Sequence, residues 1–176
     1  PLPSPGVVAF FDSEETGSQT AASASGPFLD DVLKRLCEFS KAKEENVVRQ
    51  SFVVSADMAH GFHPSFEDKH DKNHRPQLNA GLVIKVNAND RYATCHQGQT
   101  AFRNLCDKIN VPVQNYVCRQ EQGCGSPIGP VLSQKLGCQV LDVGTAMWAM
   151  HSAAETMGTK DLGYSQKAFK AFFETP

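Results

Sequence analysis

The chain has 176 residues, 40% apolar and 20% charged, enough for one packed domain and too apolar for a disordered chain. Seventeen Lys and Arg against nineteen Asp and Glu leave a net charge of −2, without the basic excess of a nucleic-acid binder. No apolar run approaches the ~20 residues that cross a bilayer, so neither a nucleic acid nor a membrane is expected as partner.

In chain order, the apolar run Val7-Val8-Ala9-Phe10-Phe11 predicts a buried strand that ends in a polar loop carrying Asp12, Glu14, Glu15 and Gly17. The small residues 18–25 are compatible with the start of a helix. Pro27 suits a first helical turn, with Asp30 and Asp31 near the positive end of the helix dipole. Phe28, Leu29, Val32, Leu33, Leu36 and Cys37 recur at helical spacing. Residues 41–45 read as a charged, solvated loop.

Phe52-Val53-Val54-Ser55-Ala56 predicts the next strand, with Asp57 at its end. Residues 58–80 form a long polar loop rich in His and Pro, and loops of this length in compact domains are often functional. Residues 82–87 predict a strand. A helical stripe follows from Ala101 to Ile109, halted by Pro112. Residues 114–119 predict another strand. Gly123-Cys124-Gly125-Ser126 reads as a tight turn into a helix, with Ser126 as N-cap, Pro127 at the first position and Gly137 as the stop. Residues 139–143 predict a last strand, residues 144–152 a loop, and the tail a helix carrying Phe169, Phe172 and Phe173. Strands alternating with helices predict an α/β sheet flanked by helices on both faces.

The six cysteines form no C-x-x-C pair, and their spacing matches no zinc ribbon. They read as free, largely buried thiols. No secretory signal opens the chain, so a reducing cytoplasm is the expected compartment.

Active sites in open α/β sheets gather at the carboxyl ends of strands. Glu14 and Glu15 follow the first predicted strand, Asp57 ends the second, and His151 follows the last. Carboxylates and an imidazole from separate strand ends are donors that suit a divalent metal such as zinc. A further carboxylate beside them could take a proton from an attacking water. Adjacent Glu14 and Glu15 can point in different directions, one toward metal and one toward water. Four of the six histidines, His60, His63, His70 and His74, sit in the loop after Asp57. Pro64 and Pro76 break its regularity, which argues against a separate zinc site there. His60, closest to Asp57, is the one expected to reach the site. Lys85, in Val83-Ile84-Lys85-Val86, is either an edge-strand lysine in solvent or a cation placed for an anionic substrate group. Arg91 and Tyr92 could serve the same end.

Several segments resemble the aspartyl aminopeptidases: Ser55-Ala56-Asp57-Met58-Ala59-His60, His63-Pro64, Lys69-His70, His74-Arg75-Pro76, Ile84-Lys85-Val86-Asn87, Arg91-Tyr92-Ala93 and Ala149-Met150-His151-Ser152. Cys124-Gly125-Ser126 with Ile128-Gly129-Pro130 adds to these, and Asp12 to Ser18 is similar to the family's Glu-Glu-x-Gly-Ser motif. The resemblance runs nearly end to end. It implies a cytosolic two-zinc metallo-aminopeptidase with a zinc-peptidase-like sandwich fold, acting on peptides with an acidic N-terminal residue. It further implies Glu14 as the general base, Glu15 and His151 as ligands of one zinc and Asp57 as a ligand of the other. Lys85, Tyr92 and His60 would face the substrate, Lys85 answering its acidic side chain. Family members form large assemblies, so a homo-oligomer is expected of the full-length form.

The resemblance also sets limits. The family's upstream His, its bridging Asp and its inserted dimerisation domain would precede the Glu-Glu segment, and only residues 1–13 do so here. Residues 1–176 therefore read as the C-terminal portion of the catalytic domain, an incomplete sandwich, with three of the family's five metal ligands plus the base. On its own such a chain is expected to be inactive. The Arg of the family's Arg-Glu pair after Met-His-Ser is missing, because Ala153 and Ala154 precede Glu155. Two other readings stand beside this one: a related two-zinc aminopeptidase for neutral residues, and a non-catalytic scaffold of the same fold.

Overall fold

The computed structural model describes residues 3–123, 125 and 128–175. The chain runs α1 (Phe28–Ser40), α2 (Glu44–Arg49), β1 (Phe52–Ala56), β2 (Ala59–His60), a 3-10 turn (Pro64–Lys69), β3 (Leu82–Val86), α3 (His96–Lys108), β4 (Val113–Val117), α4 (Ile128–Leu136), β5 (Gln139–Trp148), β6 (Thr156–Met157) and α5 (Thr159–Glu174). The strands form one mixed sheet in the order β1-β5-β3-β4, with β2 and β6 also pairing with β5. β1 and β2 run parallel to β5, while β3 and β6 run antiparallel to it.

Alternation along the strands divides the apolar residues between two faces. Leu82, Ile84, Leu141 and Val143 meet Phe102 and Cys106 of α3 and Ala168 of α5. On the other face Val53 packs with Leu29 and Leu33 of α1 and Leu132 and Leu136 of α4. The expected helix-covered α/β sheet is thus present. Lys135 ties α4 to the start of α1, donating to Gly26 O at 2.5 Å and Ala24 O at 3.3 Å and pairing with Asp30 at 3.1 Å. Gly137 ends α4 as expected, with φ +63° and its N–H on Ser133 O. The capping expectation for Ser126 and Pro127 lies outside the described residues.

Four expectations are corrected. Residues 7–11 are extended but pair with no strand among the described residues. Ala9 and Phe11 pack toward α1, whereas Val7, Val8 and Phe10 are exposed. A strand needs a ladder partner as well as an apolar pattern. Residues 18–25 form turns, not a helix, with the Ser23 and Ser25 hydroxyls donating to Ser18 O. α2 starts inside the charged stretch read as a loop. β5 does not stop at Val143 but continues to Trp148, buried from Val140 to Met147. Gly144 misleads here, because glycine weakens a strand pattern. Its role is close approach: an added Cβ would fall on the carbonyl oxygen of Asp57.

Thiols are free at Cys37, Cys95, Cys106, Cys118 and Cys138. Burial pushes the Cys106 thiol up to about 11, so it remains a protonated hydrophobe. The Cys95 Sγ accepts from Gly98 N and caps α3.

Asp161, fully buried in the first turn of α5, accepts from Asn79 N at 2.6 Å and Gly81 N at 2.9 Å. Asn79 Oδ1 accepts from Lys160 N in return. This exchange fixes the turn that launches β3. Asp161→Ala would strand both amides and is expected to cost about 3 kcal/mol, lowering Tm by about 10 °C in thermal unfolding followed by circular dichroism. An unchanged Tm would show that water replaces the carboxylate.

Candidate active site

Asp57 leaves β1 where its N–H still bonds to Val143 O at 3.0 Å, so the sheet ladder sets its position. β3 lies between β5 and β4, and its Lys85 side chain is 1% exposed. The reading of Lys85 as an edge-strand lysine in solvent is therefore corrected. A buried ammonium requires partners. Lys85 Nζ donates to Asp57 Oδ2 at 2.9 Å and Met58 O at 3.1 Å, and lies 5.2 Å from the centroid of the Tyr92 ring.

Glu14 and Glu15 sit on a loop closed by its own backbone. Gly17 N donates to Glu14 O at 3.0 Å, Ser18 N to Ser13 O at 2.9 Å, and Asp12 N to Ala22 O at 3.2 Å. Gly17 takes φ +97°, which glycine adopts without cost. Across the cleft, His151 occupies a tight turn after β5 with φ +65°. Its N–H donates to Glu155 Oε1 at 2.5 Å, and its Nε2 meets Glu15 Oε2 at 2.7 Å. Glu155, without the Arg that the resemblance leads one to expect before it, holds the His151 turn instead.

Glu14, Glu15, Asp57 and His151 line one cleft of about 520 Å³, together with Asp90, Arg91 and Glu155. Burial raises the Glu14 pKa, the charges of Asp57 and Glu15 raise it further, and Lys85 and His151 pull it back. His60 tilts against Tyr116 at 6.2 Å. Desolvation, then the charges of His70, Lys85 and His151, lower its pKa, against the opposite pull of Asp57. Tyr92 is 6% exposed and packs beside Tyr116. The remaining loop histidines act locally. His63 accepts from Ser65 N, His70 Nε2 lies 3.4 Å from His60 O, and His74 pairs with Asp71 at 2.6 Å.

Carboxylate and imidazole are donors that zinc takes, and one of each already meets at Glu15 and His151. Asp57 enters the same cleft with its charge held by Lys85. The donor set fits zinc in kind, although among the described residues no three donors gather as a metal-holding cluster.

Sequence reasoning passed over Asp142. This fully buried carboxylate on β5 accepts from Ala93 N at 2.6 Å and lies against Gly129 of α4. An acid inside a strand between Leu141 and Val143 was the available signal. Asp90 and Glu155 were also missed as cleft residues. No helix among the described residues is long and apolar enough to cross a membrane.

A family model described as aminopeptidase I zinc metalloprotease (M18) matches residues 3–173. A probable M18 family aminopeptidase 2 from Azotobacter vinelandii is 47% identical over 170 residues, covering 97% of this chain and 39% of that protein. A probable aspartyl aminopeptidase from Ricinus communis is 44% identical over 171 residues, covering 96% of this chain and 35% of that protein. Among solved structures, the S. cerevisiae mApe1 dodecamer superposes with a TM-score of 0.82 at 30% identity, covering 94% of this chain and 37% of that one. The chain thus spans less than two fifths of the length of these relatives.

Proposed function

Because this chain belongs to the aminopeptidase I zinc metalloprotease (M18) family, we propose that it forms the C-terminal portion of a catalytic domain that releases Asp or Glu from peptide N-termini. The observation that carries this reading is one cleft reached from both ends of the chain. Glu14 and Glu15 arrive from the N-terminal loop, Asp57 from the end of β1, and His151 from the turn after β5. The aspartyl aminopeptidase among the relatives supports the acidic preference.

Glu15 and His151 would hold one zinc ion, and Asp57 would contribute to a second. Bound zinc supplies Lewis acidity toward the scissile carbonyl and an attacking water. Glu14, raised in pKa by burial and its acidic neighbours, is suited to take the proton of that water and return it to the leaving amine. Lys85 lies beside Asp57 and under the Tyr92 ring, and His60 packs on Tyr116, behind the residues that line the cleft; with substrate bound, Lys85, Tyr92 and His60 would face its first residue, Lys85 answering the acidic side chain. The dodecameric relative supports a homo-oligomeric full-length form, and the free thiols support a cytoplasmic setting.

The reading is tested by turnover of an N-terminal Asp anilide, with and without a chelator. The longer polypeptide is expected to show zinc-dependent release, and the 176-residue chain alone little or none. No release by the longer polypeptide would end the aminopeptidase reading. Robust release by the 176-residue chain would end the claim that the remaining segment is needed.

A further inference from the structure

A second cavity shares no lining residue with the cleft. It measures about 350 Å³ and opens at β4, the last strand of the path β1-β5-β3-β4. Its polar lining is Asn73, His74, Arg75, Arg103, Gln114 and Asn115, and no carboxylate is among the residues that line it. The cleft has the opposite character, with Glu14, Glu15, Asp57, Asp90 and Glu155 on its walls.

The two guanidiniums of this cavity are only partly satisfied by the chain. Arg103, half-buried on α3, donates from Nη2 to Asn115 Oδ1 at 2.6 Å and makes no ion pair among the described residues. Arg75 sets its Cζ 4.7 Å from the centroid of the Phe62 ring. Its ion pair with the exposed Glu67 is long at 3.4 Å, and its Nε is sealed from water with no hydrogen-bond partner. A buried donor without an acceptor is costly, and a guanidinium carries several N–H donors. Positive charge and donors are thus left over on one side of the cavity and the other.

The frame around them is braced. Gln114 Oε1 accepts from Gln77 N at 2.7 Å, and Gln114 Nε2 donates to Gln77 O at 3.0 Å. Gln77 Nε2 donates to Arg75 O at 2.9 Å, and Phe62 N donates to Pro76 O at 2.7 Å. Asp71 Oδ1 accepts from Asn73 N at 3.0 Å and lies 2.6 Å from His74 Nδ1. Residues 73–77 are therefore pinned to β4 without a ligand, and little freedom remains to be lost on binding. Two guanidiniums from separate elements suit an anion with more than one charge and oxygens in several directions, which a phosphate group has and a lone carboxylate lacks. Only Pro76 and Val113 add apolar surface to the lining, too little to stack a base or seat an apolar chain.

We propose that this cavity is a binding site for a small phosphate-bearing anion, free or esterified to a small polar group, held by Arg75 and Arg103.

The test is calorimetric titration of the longer polypeptide with inorganic phosphate, glycerol 3-phosphate and acetate. At least one of the two phosphates is expected to saturate the site with Kd of about 1 mM or tighter, and acetate to bind at least about 10-fold more weakly. The tighter of the two phosphates identifies the ligand as free or esterified, and either result supports the proposal. Arg103→Gln is expected to weaken binding by about 10- to 100-fold, the size of a lost charge-assisted hydrogen bond. Asn115→Asp, which sets a carboxylate beside Arg103, should weaken it as much, whereas Glu15→Gln in the cleft should leave it unchanged. Arg103→Lys should keep part of the affinity. Failure of both phosphates to saturate overturns the proposal, as does acetate binding as tightly as phosphate. Phosphate affinity that survives Arg103→Gln and is lost in Glu15→Gln places the anion in the cleft and also overturns it. Binding is read without turnover, so this proposal stands or falls separately from the aminopeptidase reading.

Discussion

Glu14→Gln, placed in the longer catalytic polypeptide that the proposed function calls for, is expected to lower kcat by about 10²- to 10⁴-fold with little change in KM. The substitution keeps the size of the side chain and its hydrogen-bonding reach but removes its basicity. Gly17 N and Ser18 N bond to backbone carbonyls of the loop, not to the Glu14 carboxylate, so the loop itself should survive. Glu15→Gln differs in kind, because it weakens the contact with His151 and should reduce zinc content as well. The discriminating measurement pairs steady-state kinetics with metal analysis of the purified variants. A Glu14→Gln protein with full zinc and near-normal kcat would remove Glu14 from the chemistry.

The second large effect is structural. Gly144→Ala places a methyl group on the Asp57 carbonyl oxygen and within 3.1 Å of the Met58 Cα. Both neighbours are backbone, so neither can rotate away. β1 and β5 would have to part where Asp57 N bonds to Val143 O. The bond from Lys85 Nζ to Met58 O lies beside the same contact. An overpacked strand pair of this kind is expected to cost about 3 kcal/mol and lower Tm by about 10 °C. Because the displaced residue is Asp57, activity should fall further than stability alone explains. Thermal unfolding and activity assayed well below Tm separate the two losses. A variant with wild-type Tm would mean that the strand ends can part freely.

Elements whose signals are local were legible in the sequence. α1 followed from its apolar spacing, the end of α4 from Gly137, and β1 and β3 from short apolar runs. What failed depended on partners far along the chain. Residues 7–11 have the apolar run of a buried strand, but no local pattern says whether an edge is available. Gly144 looks like a strand end until the Asp57 carbonyl is seen against it. The apolar run around Lys85 left two readings open, and only the position of β3 between β5 and β4 decides for burial. For the site, each candidate residue could be named from its motif. The pairings Glu15 with His151 and Lys85 with Asp57 could not, since no spacing encodes a contact between distant segments.

Sheet order has a consequence for biosynthesis. β5 separates β1 from β3, yet it is made after both. A ribosome that has released β1, β3 and β4 has released a β3–β4 pair and a β1 whose neighbour β5 is still to come. Until residues 139–148 emerge, the ladder that brings Asp57 toward Lys85 has no central rung. Assembly of this unit is therefore late and all at once rather than progressive, and the nascent chain carries apolar strands that must be shielded while they wait.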